Sequence, residues 1–167
     1  MKQLVFCLLI YSPFFCFSQG AAKTEINWIP LQKAKEYAKK HNKDILIFFY
    51  KNDCEYCEKM KKEALSDIQV INLINNNFLP VKINSRTKDT IMYNGVAYGN
   101  QQPESSGRHD WRHDFYAEVA SFTRDNTKKL TTPTIVLFNN KFEKLRNLPG
   151  LQSKQLLLRN LRPYVLK

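Results

Sequence analysis

Apolar residues recur along this chain with two periods that alternate. Leu31, Ala34, Tyr37, Ala38 and His41 fall at three- and four-residue steps and Pro30 suits a first helical turn, so residues 30 to 42 predict a helix. Ile45 to Tyr50 is a nearly continuous apolar run of strand length, the pattern of a strand covered on both faces at the centre of an α/β sheet. Residues 55 to 65 return to helical spacing with Met60, Ala64 and Leu65. Asp67 caps a further turn through Ile68, Ile71 and Ile74, and Leu79 to Ile83 is the next strand.

Beyond Asn84 the pattern loosens. Ile91-Met92-Tyr93 and Val96-Ala97-Tyr98 flank Asn94-Gly95, which favours the positive backbone angles of a two-residue turn, and together they predict a hairpin. Gly99 to Gly107 reads as a polar loop, and Asp110 or a neighbour caps a helix through Phe115, Val119, Ala120 and Phe122. This hairpin plus helix, at about residues 85 to 129, is an insertion in an otherwise compact plan. Pro133 cannot donate to a sheet ladder, so it marks the first residue of the strand Thr134 to Phe138 or a special turn before it. Asn139-Asn140-Lys141 makes a turn, Phe142 to Leu148 is the partner strand and Gly150 permits a bend. Ser153 starts a last helix bearing Leu156, Leu157, Leu161 and Val165, with Pro163 a late kink or its end. The element order is that of a single α/β domain without internal repeats.

The first residues stand apart from that domain. Lys2 precedes an uncharged, mostly apolar run from Gln3 to Phe17, and Cys16 with Ser18 gives the small-x-small pattern of a secretory cleavage site. This predicts a signal peptide over residues 1 to 18 and a mature domain over 19 to 167, with Ser18/Gly20 and Gly20/Ala22 as alternatives that move the start as far as Lys23. A bilayer span needs roughly 20 apolar residues, and Pro13 interrupts this shorter run. An acylated Cys16 would follow small residues rather than Phe14-Phe15. The expected product is periplasmic or secreted, with no stable membrane anchor after cleavage. The whole chain carries a formal charge of +11, but Lys33, Lys35, Lys39, Lys40, Lys59, Lys61 and Lys62 are interleaved with glutamates on presumed helices. That dispersal describes solvated helix faces and argues against a nucleic-acid partner, while acidic or membrane-surface partners remain open.

Export leaves two of the four cysteines, in the run Cys54-Glu55-Tyr56-Cys57, in an oxidising compartment where a disulfide is the ordinary state. A ring enclosing two residues constrains the unfolded chain little, so it is a poor staple. After a strand and at a helix N-terminus the pair suits thiol–disulfide exchange, because the helix dipole stabilises a thiolate on its first member. Cys54 is the expected nucleophile and Cys57 the resolving thiol. Tyr56 packs either on substrate or on its own domain. Two other classes stay open. His109 and His113 are four apart and on one helix would share a face, so with Cys54 and Cys57 they suggest a copper- or zinc-handling module; alternatively the fold serves binding alone. The exchange reading itself calls for no dissociable cofactor and no metal.

The strand Ile45 to Tyr50, the Cys54-x-x-Cys57 helix start, Thr132-Pro133 before a strand and Gly150 ahead of the final helix together resemble the thioredoxin fold family, over residues from about 28 to 165. The signal peptide, the Lys-rich first helix, the Asn-Gly hairpin and the His113 segment look most like its exported bacterial members. The resemblance implies a central mixed sheet flanked by helices and a cis proline at Pro133 beside the cysteines. It also implies a backbone at Thr132 left free to pair with an extended substrate peptide. The implied activity is that of a thiol–disulfide oxidoreductase. Its partners would be disulfide-containing exported proteins and a membrane-linked or periplasmic reductant. Cytosolic thioredoxins read Trp-Cys-Gly-Pro-Cys where this chain has Asp53-Cys54-Glu55-Tyr56-Cys57, and they bury an acid where it has Phe48. Asp53, Glu55 and Glu58 disfavour a neighbouring thiolate, so the expected role is reducing or isomerising rather than disulfide-donating.

Overall fold

The computed structural model describes residues 24–100 and 111–165. The expected signal peptide with its cleavage sites, most of the Gly99 to Gly107 loop, His109 and Asp110 lie outside the described residues. In chain order the elements are α1 (Leu31–His41), β1 (Asp44–Tyr50), α2 (Glu55–Glu63), α3 (Ile68–Asn77), β2 (Phe78–Asn84), β3 (Ile91–Tyr93), β4 (Val96–Tyr98), α4 (Asp114–Ala120), β5 (Phe122–Arg124), β6 (Thr127–Lys129), β7 (Thr134–Phe138), β8 (Lys144–Pro149) and α5 (Lys154–Leu161), with a short 3-10 turn over Arg162–Tyr164.

β1 is buried from Ile45 to Phe49 because it has a neighbour on each edge and helices over each face. The sheet order is β2-β1-β7-β8, with β1 parallel to β2 and antiparallel to β7, which in turn is antiparallel to β8. Alternation along β1 divides the core in two. Ile45, Ile47 and Phe49 pack with Ala34 and Ala38 of α1 and Phe115, Tyr116 and Val119 of α4. Leu46 and Phe48 pack with Met60 of α2, Val70, Ile71 and Ile74 of α3, and Leu157 and Leu161 of α5. The mixed sheet flanked by helices is the architecture that the sequence implied.

Helix ends follow local chemistry. Lys39, Lys40 and His41 occupy the last turn of α1 and Asn42 closes it at φ +50. The Asp67 carboxylate caps α3, accepting from the Gln69 N–H at 2.9 Å and the Val70 N–H at 3.4 Å, and Ser153 caps α5. The Asn94-Gly95 hairpin is present, with both turn residues at positive φ.

Three segments differ from expectation. The helix expected through Phe122 ends at Ala120, and Phe122–Arg124 instead pairs antiparallel with Thr127–Lys129 across a second hairpin. Its turn is Asp125-Asn126, both at positive φ, which a two-residue hairpin requires. The partner strand expected from Phe142 begins at Lys144. Phe142 adopts φ +65 and turns its ring onto Phe138, 4.6 Å between centroids, within a cluster that includes Tyr93 and Phe115. His113 is not inside a helix. It caps the N-terminus of α4, while His109 lies outside the described residues.

Candidate active site

β1 ends at Tyr50, and the turn that follows delivers Cys54 to the N-terminus of α2, with Asp53 at φ +53. Cys54 is the N-cap: its carbonyl accepts from the N–H groups of Cys57 and Glu58 at 3.0 Å, and its Sγ accepts from the Cys57 N–H at 3.2 Å. The two cysteines form a disulfide with their Cα atoms 5.2 Å apart. Cys57 is fully enclosed while Cys54 keeps 6 % of its surface, so Cys54 is the sulfur an incoming molecule meets first.

Opposite lies the segment ahead of β7. The Thr132–Pro133 bond is cis, and Cys54 Sγ sits 3.8 Å from the Thr132 carbonyl oxygen and 3.9 Å from its Oγ1. Gly150, at φ +78, donates its N–H to the Pro133 carbonyl at 2.9 Å, which ties the bend after β8 to the same wall. Ser85 stitches the neighbouring ends together: its N–H donates to the Tyr50 carbonyl and its carbonyl accepts from the His113 N–H, both at 2.7 Å. Cys54, Cys57, Thr132 and Pro133 therefore converge. Tyr56 projects from the first turn of α2 at 60 % exposure, on the rim beside the disulfide rather than in the core.

The electrostatics are milder than the row of acids suggests. Lys61, hydrogen-bonded to Glu58 at 2.7 Å, holds the Glu58 carboxyl below its ordinary value, and the same ammonium lies 4.9 Å above the Tyr50 ring. The charge of Glu58 is thus offset one turn from Cys54. Phe48 is enclosed between Trp28 and Tyr50 with ring centroids 6.0 and 6.1 Å away.

Of the two histidines in the metal alternative, His109 lies outside the described residues and His113 is engaged elsewhere. His113 Nδ1 accepts from the Phe115 N–H at 3.1 Å and Nε2 lies 2.8 Å from the Asp89 carbonyl oxygen, so both ring nitrogens are engaged by backbone. Among the described residues no group of three His, Cys, Asp or Glu side chains is arranged around a metal-sized space.

The sequence reading missed a set of hydroxyls behind the proline segment. Tyr116 of α4 and Thr134 of β7 each donate to the Thr131 carbonyl at 2.5 Å, and Tyr116 packs on Phe49 with centroids 4.9 Å apart. Burial pushes the Tyr116 phenol above its ordinary value. The apolar pattern of Phe115, Val119 and Ala120 in α4 pointed inward; nothing in it marked a hydroxyl partner.

Residues 31–163 match the family described as the thioredoxin-like domain. The mouse (Mus musculus) anterior gradient protein 3 is 26 % identical over 66 residues, a stretch that spans 39 % of this chain and 40 % of that protein. Among solved structures, a DsbH oxidoreductase has a TM-score of 0.58 at 16 % identity, covering 93 % of this chain and 95 % of its own. A thioredoxin from Thermus thermophilus gives 0.53 at 21 %, covering 83 % and 86 %. A putative disulphide-isomerase from Bacteroides thetaiotaomicron gives 0.52 at 17 %, covering 85 % and 94 %. At such identities these structures share the fold.

Proposed function

The chain belongs to the thioredoxin-like domain family, and from that premise we propose that it is an exported thiol–disulfide oxidoreductase that reduces or isomerises protein disulfides through Cys54 and Cys57. One observation carries the reading: a two-residue disulfide at the N-terminus of α2, its outer sulfur within 4 Å of the Thr132 backbone. A structural staple needs no such neighbour. Names borne by the fold relatives, an oxidoreductase and a putative disulphide-isomerase, agree with it.

The cycle begins when a membrane-linked or periplasmic reductant opens the Cys54–Cys57 bond. The Cys54 thiolate, favoured by the α2 dipole, then attacks one sulfur of a client disulfide, forms a mixed disulfide and expels the other client sulfur as a thiolate. Cys57 attacks the Cys54 sulfur in turn and expels the second client thiolate. The client gains two electrons and, once both thiolates are protonated, two protons; the Cys54–Cys57 bond is restored. Thr132 and Pro133 line the approach and Tyr56 offers an aromatic contact at its rim. The clients are disulfide-containing exported proteins, a placement that rests on the Lys2 and Gln3 to Phe17 leader pattern.

The test separates the two cysteines. Cys54→Ser abolishes reaction with substrate disulfides, whereas Cys57→Ser leaves an attacking thiol without a resolving partner, so mixed disulfides with clients accumulate on non-reducing gels. Identical behaviour of the two variants, with no trapped adduct, overturns the reading. Equilibration with glutathione gives the direction: a potential near about −250 mV supports reduction and one near about −120 mV supports oxidation.

A further inference from the structure

We infer that Tyr116, with Thr134, is a positioning residue that aims the Thr132 N–H at the backbone of a bound client peptide. The inference rests on the oxidoreductase reading and adds a role for α4 to it.

The Thr131 carbonyl and the Thr132 N–H belong to the same planar unit, so fixing the direction of the oxygen fixes the direction of the N–H. Two hydroxyls from different elements grip that oxygen, Tyr116 from α4 and Thr134 from β7. Both residues have no exposed surface, and the Tyr116 ring is held against Phe49 of β1, so the grip is anchored in the core. In a trans peptide the oxygen and the N–H point to opposite sides. With the oxygen held toward the core side by α4, the N–H faces away from it. The next carbonyl along, that of Thr132, lies 3.8 Å from Cys54 Sγ. With its donor turned from the core and its acceptor beside the sulfur, Thr132 offers the pair of groups that an added strand uses at an edge.

Without the hydroxyl clamp the plane is free to rotate, and a peptide client loses a pre-aimed donor while a disulfide lacking any peptide backbone loses nothing comparable. The contrast between two substrates therefore isolates the role. Pre-reduced protein is mixed with a cystine-bridged peptide or with bis(2-hydroxyethyl) disulfide, and the two rate constants are taken as a ratio. In Tyr116→Phe, which keeps the ring on Phe49, and in Thr134→Val, the ratio of peptide to backbone-free rate falls roughly two- to tenfold, the range of one net hydrogen bond. The loss appears in the half-saturating peptide concentration rather than in the limiting rate. Thr134→Ser, which retains the hydroxyl, restores the ratio. A ratio unchanged in both variants, or a parallel loss on both disulfides tracking a fall in Tm, overturns the positioning role. A parent protein inert toward both disulfides overturns the oxidoreductase reading and this inference together.

Discussion

Cys54 lies between opposing influences that a sequence displays but cannot weigh. The α2 dipole favours its thiolate, and Glu55 and Glu58 in the first turn oppose it. The structure adds the Glu58–Lys61 pair, so one of the three nearby acids, Asp53, Glu55 and Glu58, is already offset. Lys61→Met frees the Glu58 charge and slows attack by Cys54 on a small disulfide at neutral pH by roughly twofold, as stopped-flow measurement would read, since exposed pairs of this kind are weak. Glu58→Gln in the same background restores the rate, and high salt shrinks the difference. A Lys61→Met variant as fast as the parent at low salt would show that the pair does not reach the sulfur. The cysteines, Thr132 and Pro133 were legible because each announces itself by type and spacing. Tyr116 was not, because its hydroxyl finds a carbonyl 15 residues along the chain.

Elements whose ends carry their own chemistry were the legible ones. Asp67 marked the start of α3 in the sequence, and in the fold the same carboxylate also receives Lys154 at 2.8 Å, joining α3 to α5. That hydrogen bond, with the Gln69 and Val70 N–H groups, holds the Asp67 carboxyl below its ordinary value. A carboxyl lowered on folding adds stability above its unfolded value near 3.8, and this stability is lost as pH falls through the lower folded value. Asp67→Ala therefore lowers Tm by about 3 °C at neutral pH, and the gap to the parent closes in acid. Asp67→Asn, which can still cap, loses less. Thermal scans across pH check the sign: a gap that widened in acid would contradict it. The hairpin β5–β6 was missed for a converse reason. Its strands are three residues each and carry no apolar alternation, so Asp125-Asn126 was the one available signal.

At the scale of the whole molecule, packing between distant segments was invisible in the sequence. The segment between β2 and β7 read as an insertion in a compact plan, and Ile91 and Tyr93 of β3 are buried in the same core as β1 and α1. Tyr93 meets Phe115, Phe138 and Phe142 edge-on, with centroids 5.4, 6.0 and 5.5 Å away. Lys35 of α1 closes the arrangement from outside, donating to the Met92 carbonyl at 2.9 Å and lying 4.5 Å above the Phe142 ring. These contacts join residues far apart in sequence, and no local period encodes them. They also make the hairpin part of the cooperative unit rather than an appendage. Tyr93→Ala should therefore destabilise the entire domain by about 3 kcal/mol and lower its Tm by about 10 °C. Met92→Ala and Val96→Ser, at positions half exposed on the same hairpin, should change stability little. Denaturant unfolding followed at once by the fluorescence of Trp28 and Trp111 and by far-UV circular dichroism decides between the two pictures. Coincident transitions that shift together in Tyr93→Ala, with an unchanged slope, mark one cooperative core. If instead Tyr93→Ala left the main transition in place and only loosened the hairpin to protease, β3 and β4 would be decoration on a core that folds without them.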